Sequence, residues 1–97
     1  MPKAYWINTF TTVTDQERLA DYIALSGPAI RTAGGRFLAR GNPAAAFESG
    51  STERTTLIEF DSVQQAVAAY HSPDYQQALR VLGDAAVRDI RIIEAVS

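Results

Sequence analysis

The chain has 97 residues, 46% of them hydrophobic and 21% charged, with a formal net charge of -2. That is the balance of one small globular domain with one core, and its arginines stand singly, so no basic face invites nucleic acid. It has no cysteine, which excludes disulfides, thiolate catalysis and cysteine-bound metal.

A single histidine, His71, leaves carboxylates to supply nearly every ligand of a metal site, and no such spacing is present. No apolar run nears the ~20 residues that span a bilayer, and "MPKAYWINTF" lacks a signal-peptide cleavage pattern. The expectation is a single cytoplasmic domain over residues 1–97, with no metal, cofactor, nucleic acid or membrane as partner.

In chain order, "AYWINTFT" (4–11) is aromatic and β-branched and predicts a first strand. Thr14 and Glu17 form a T-x-x-E capping box that opens a helix. Leu19, Tyr22, Ile23, Ala29, Ile30 and Ala33 follow at helical spacing. "SGP" (26–28) predicts a kink there, or a division into two short helices. "GG" at 34–35 supplies the stop.

"RFLARG" (36–41) predicts a second strand, residues 42–53 a long connection, and "RTTLIEF" (54–60) a third strand. Ser62 with Gln65 repeats the capping logic before a short helix marked by Val63, Ala66, Val67 and Tyr70. In "HSPDYQ", Ser72 suits an N-cap, Pro73 the first helical position and Asp74 the positive helix end. A further helix then runs to about Gly83, and "RDIRIIEAV" (88–96) closes the chain as a fourth strand. The order β-α-β-β-α-β predicts an α+β, ferredoxin-like domain: a four-stranded antiparallel sheet with its helices on one face.

The opposite face is too apolar for open water. Alternation turns Trp6, Phe10, Phe37, Ile58, Phe60, Ile90 and Ile92 to the helices. That leaves Tyr5, Ile7, Leu38, Leu57 and Ile93 outside, among Arg36, Arg40, Glu59 and Arg91. Such a patch predicts an interaction surface, most simply covered by a second copy about a two-fold axis. Two sheets facing each other would enclose an apolar space with a few polar groups, which also suits a small ligand.

"YWI", "GGRFLARG", Glu48, "RTTLIEFDS" and "YHSPDYQ", in this order and on to "DIRIIEA", resemble family 1330 of the domains of unknown function, a group of small bacterial proteins. The resemblance implies the dimeric α/β-barrel superfamily, hence a sheet-to-sheet homodimer. That superfamily includes cofactor-free monooxygenases, isomerase-like enzymes, haem-using enzymes and stress-response barrels, so it implies architecture rather than one reaction. Two positions depart from many relatives: Ser49 replaces a glycine, and Leu82 stands where they carry an arginine, with Arg80 nearby.

Pairing Leu38 with Leu57 sets Arg36 across from Glu59 as an ion pair. Arg40, at the strand end on the same face, then offers its fork to a carboxylate ligand, with Tyr5 beside it. The alternative is that these charges only pair within or across the dimer. Glu48, Arg54 and Arg91 form a looser set, with Phe47 as an anchor for the long loop. His71 and Tyr75 are the candidates to move a proton, although "SPD" is explained by helix punctuation alone. The expected function is binding of a small acidic or aromatic metabolite; the alternatives are a cofactor-independent isomerase or monooxygenase, and a purely structural dimer module.

Overall fold

The computed structural model describes residues 2–96. Seven elements follow in order: β1 (Ala4–Val13), α1 (Gln16–Thr32), β2 (Arg36–Gly41), β3 (Thr55–Phe60), α2 (Val63–His71), α3 (Pro73–Leu82) and β4 (Ala86–Glu94). The strands form one sheet in the order β2-β3-β1-β4, every neighbouring pair antiparallel. The β-α-β-β-α-β plan holds, with its second helical part split into α2 and α3 at Ser72. This is the ferredoxin-like arrangement.

Period-two alternation builds the core. Ala4, Trp6, Asn8 and Phe10 of β1 and Ile58 and Phe60 of β3 are buried beneath the helices. Trp6 stacks on Phe60 at 6.1 Å between ring centroids and meets the Tyr75 ring edge-on at 5.2 Å. Ala66, Ala69 and Ala78 are also buried; their small side chains let α2 and α3 lie close over these rings. β1 runs two residues beyond its predicted end, and β4 keeps its predicted length but starts and ends two residues earlier, because after an irregularity between Phe10 and Thr12 the strands resume pairing through Val13↔Ala86.

Local expectations are corrected in three places. The N-cap of α1 is Asp15, whose carboxylate accepts from Arg18 N at 3.1 Å. Thr14 instead ties the end of β1 to the α3–β4 turn, its hydroxyl and its backbone N–H both donating to Ala85 O. "SGP" neither ends nor divides α1, which runs unbroken from Gln16 to Thr32. Pro28 faces solvent while Ser26, Gly27, Ala29 and Ile30 are buried, so packing on both sides of the proline outweighs the missing hydrogen bond.

The third correction concerns β2. Arg36↔Glu59 and Phe37↔Ile58 pair as expected, but the next pair is Ala39↔Leu57. Leu38 is the extra residue of a bulge, not the partner of Leu57. A one-residue slip exchanges the faces of a strand, so Arg40, opposite buried Thr56, lies on the helix side of the sheet. Punctuation elsewhere follows the sequence. The Ser62 hydroxyl accepts from Gln65 N at 3.1 Å, although the Gln65 side chain reaches back to Asp61 N rather than to Ser62. Gly34, at φ +98°, ends the turn after α1, and a Cβ on Gly35 would lie 2.5 Å from Ile30 and 2.9 Å from Phe60.

Candidate functional site

Three side chains from distant parts of the chain meet on the helix side of the sheet. In β4 the alternation sets Arg88 on the same face as Ile90 and Ile92, opposite Phe10 of β1. Tyr22 arrives from the buried stripe of α1. Tyr75 is carried by the first turn of α3, whose start is fixed by the Ser72 hydroxyl accepting from Tyr75 N at 3.3 Å. The two phenol oxygens lie 2.7 Å apart. Arg88 Nη1 donates to Tyr22 at 2.8 Å and to Tyr75 at 3.3 Å, and the guanidinium carbon sits 4.9 Å from the Tyr22 ring centroid and 5.8 Å from that of Phe10.

No carboxylate touches Arg88 among the described residues, and its Nε–H and Nη2–H groups reach no protein acceptor. Burial alone would weaken its charge; the tyrosine oxygens more than offset that and hold its pKa above the ordinary value. Burial, and then Tyr22, pushes the Tyr75 phenol well above its usual range. The cluster is therefore a cation held between two phenol oxygens. It has unused donors and lies in a medium where an ion pair or charged hydrogen bond is stronger than in water.

Arg88 lines an open cleft of about 670 Å³ between α2, α3 and β4. Leu79, Leu82, Ile90 and Ile92 make its walls apolar, and Tyr70 and His71 line it beside Arg88. His71 is exposed at the end of α2, its ring edge-on to Tyr70 at 5.3 Å between centroids. It has no hydrogen bond or ion pair among the described residues. Tyr75 is fully buried and its hydroxyl is already engaged.

The open face of the sheet collects most of the other candidates. Arg36 Nε donates to Glu59 at 3.0 Å, Arg36 Nη2 to Asp61 at 3.0 Å, and the Tyr5 hydroxyl to the second Glu59 oxygen at 3.3 Å. Arg36, Glu59 and Tyr5 are thus together and mutually satisfied. Arg40 is not with them: its guanidinium stacks over Phe37 at 4.8 Å on the helix side. Glu48, Arg54 and Arg91 form no ion pair with one another, because Arg91 makes a two-pronged pair with Asp89, 3.0 Å on each prong. Glu48 itself sits at φ +54°, next to a Phe47 that is 81% exposed.

Sequence reasoning missed Arg88 and the Tyr22–Tyr75 contact. A signal existed, since Arg88, Ile90 and Ile92 share one parity and the isoleucines were assigned to the helix side. An arginine on that parity is a cation aimed at a core. The tyrosine pair, 53 residues apart in sequence, left no local trace.

A family model for a domain of unknown function, DUF1330, matches residues 3–96. The chain belongs to the DUF1330 family. Among curated proteins none matches this DUF1330 sequence. Solved structures share its fold. The RPA0582 protein of unknown function from Rhodopseudomonas palustris is 18% identical, with a TM-score of 0.75 over 99% of this chain and 84% of its own. A dimeric ferredoxin-like protein of unknown function from Thermobifida fusca is 15% identical, with a TM-score of 0.68 over 97% and 92%. SnoaB, a cofactor-independent oxygenase from Streptomyces nogalater, is 11% identical, with a TM-score of 0.71 over 100% and 96%. At these identities the likeness is one of fold. No helix among the described residues is long and apolar enough to cross a membrane.

Proposed function

We propose that this protein binds a small organic acid with an apolar or aromatic body in the cleft between α2, α3 and β4. The observation that carries this reading is Arg88: a half-buried guanidinium with no carboxylate partner among the described residues, with donors left over, lining a cleft with apolar walls. Buried charges are normally paired, and a carboxylate presented to Nε and Nη2 would complete the pair through the guanidinium fork. Leu79, Leu82 and Ile92 would take the apolar body. In this reading Tyr22 and Tyr75 hold the arginine, and His71 at the rim is the group free to exchange a proton with a bound acid. The ligand lies on the helix side rather than between sheet and partner, because Arg36, Glu59 and Tyr5 already satisfy one another.

The open face we assign to a second copy of the chain. Leu38 and Ile93 are 51% and 57% exposed there, with Ile7 and Leu57 paired between them. That continuity of apolar surface supports a sheet-to-sheet homodimer.

Thermal melts with benzoate and cinnamate, against benzylamine as a cationic control, test the ligand class. The acids raise Tm and the amine does not; a hundredfold excess over Kd gives about 2.7 kcal/mol, on the order of 10 °C for a chain of this size. Arg88→Gln abolishes the gain and leaves the fold, since the two phenols still bond each other. Equal gains in wild type and Arg88→Gln would refute the assignment.

A further inference from the structure

In the order β2-β3-β1-β4, no strand lies beyond β4 among the described residues. The other edge, β2, is six residues long and broken by the bulge at Leu38, a common protection against pairing with another chain. β4 is nine residues long, without proline or glycine, and pairs β1 in unbroken register from Arg88 to Glu94. Ala95 N donates to Lys3 O at 2.8 Å in that same register. Bonded and non-bonded pairs alternate along an antiparallel ladder, so Asp89, Arg91 and Ile93 exchange backbone bonds with β1. Arg88, Ile90 and Ile92 then turn their N–H and C=O groups to the free edge.

We propose that this edge pairs antiparallel with the same edge of a second copy, about a two-fold axis at Ile90. In that register Ile90 exchanges backbone bonds with the partner's Ile90, and Arg88 with the partner's Ile92. On the open face Asp89 meets the partner's Arg91, and Val87 the partner's Ile93, each twice. All four residues are exposed in the single chain, Val87 by 59% and Ile93 by 57%. The two-pronged Asp89–Arg91 pair of each copy becomes half of a ring of alternating charges, and opposite charges directly across strands attract. Sliding the strands by two residues sets Asp89 against Asp89 or Arg91 against Arg91, which disfavours those registers. The charge pattern is thus complementary to itself, as a contact that closes about a two-fold axis requires. This contact is separate from the sheet-to-sheet pairing and from acid binding. It extends the sheet in its own plane, with the next strand about 4.8 Å away, and borders the cleft.

Amide hydrogen exchange of the wild-type chain, raised from low to several hundred micromolar, tests the edge directly. The amides of Arg88, Ile90 and Ile92 are expected to slow by about tenfold, while those of Asp89, Arg91 and Ile93 stay slow throughout. Over the same range the sedimenting mass is expected to rise beyond twice that of the chain. Leu57→Glu, which lacks the face contact, is expected to go from one chain mass to two, so failure of the face pairing and failure of the edge pairing give different results. Asp89→Arg and Arg91→Asp each set like charges across the axis and are expected to lose the concentration effect. An equimolar mixture of the two is expected to restore it, because each strand then complements the other. Neither variant keeps the pair within its own chain, so the mixture reports the contact between copies alone. Exchange at Arg88, Ile90 and Ile92 that does not change with concentration, or a mixture that behaves as the single variants do, would overturn the proposal.

Discussion

Arg88 and Tyr75 are coupled, and that coupling has a pH signature of its own. The Tyr75 phenol is held well above its ordinary pKa of 10.0, first by burial. The native state therefore keeps this proton where the unfolded chain releases it. Stability from this group is fully present below about pH 10, the unfolded phenol's pKa, and is lost as pH rises beyond it. Alkaline melts of Tyr75→Phe are expected to fall less steeply above pH 10 than those of wild type, while at neutral pH the variant is about 1 kcal/mol less stable through lost hydrogen bonds. Parallel alkaline curves would mean that the phenol ionises in the native state. The acid side depends on other groups. Hydrogen bonds from Arg36 and Arg91 hold Asp61 and Asp89 below the usual carboxylate range. Their contribution is present above the unfolded carboxylate pKa and fades as pH falls through the native one.

At the scale of elements, Ser72 is the most economical residue in the chain. Its hydroxyl donates to Ala69 O at 2.8 Å, closing α2, and accepts from Tyr75 N at 3.3 Å, opening α3. Ser72→Ala is expected to cost about 1 kcal/mol, whereas His71→Gln, exposed and unbonded, should stay within roughly 0.5 kcal/mol; urea melts of the two variants compare them directly. Gly83 ends α3 at φ +53°, where a Cβ would strike the Arg18 guanidinium that donates to Val81 O and Asp84. Gly83→Ala should therefore cost on the order of 1–2 kcal/mol, and a neutral result in the same melts would show that Arg18 moves aside freely.

These helix ends were legible because capping is written in neighbouring residues. "SPD" names its own turn, and β1 and β3 show their buried parity in plain alternation. The register of β2 was not legible. Both possible pairings leave an apolar residue on the open face, Leu38 or Ala39, so no pattern in "RFLARG" marks the bulge that carries Arg40 to the other side. The helix-side cluster was hidden for another reason: Tyr22 and Tyr75 each read as ordinary helical core positions, and only the sheet order brings Arg88 between them.

For the whole molecule the proposed reading gives the two faces of the sheet different work. The open face, with Leu57 paired to Ile7 and Ala39, is assigned to the partner copy, and Leu57→Glu would set an unpaired charge within that contact. Sedimentation at low micromolar concentration is expected to give twice the chain mass for wild type and the single mass for Leu57→Glu; a stable wild-type monomer would remove the dimer from the account. The helix face is assigned to the ligand, and its claim is more specific. The most direct test is a crystal structure with whichever aromatic acid raises Tm most. The account predicts its carboxylate within hydrogen-bond distance of Arg88 Nε and Nη2, with the ring against Leu82 and Ile92. The same acid seated on the open sheet face, or in the cleft with its carboxylate turned away from Arg88, would contradict it.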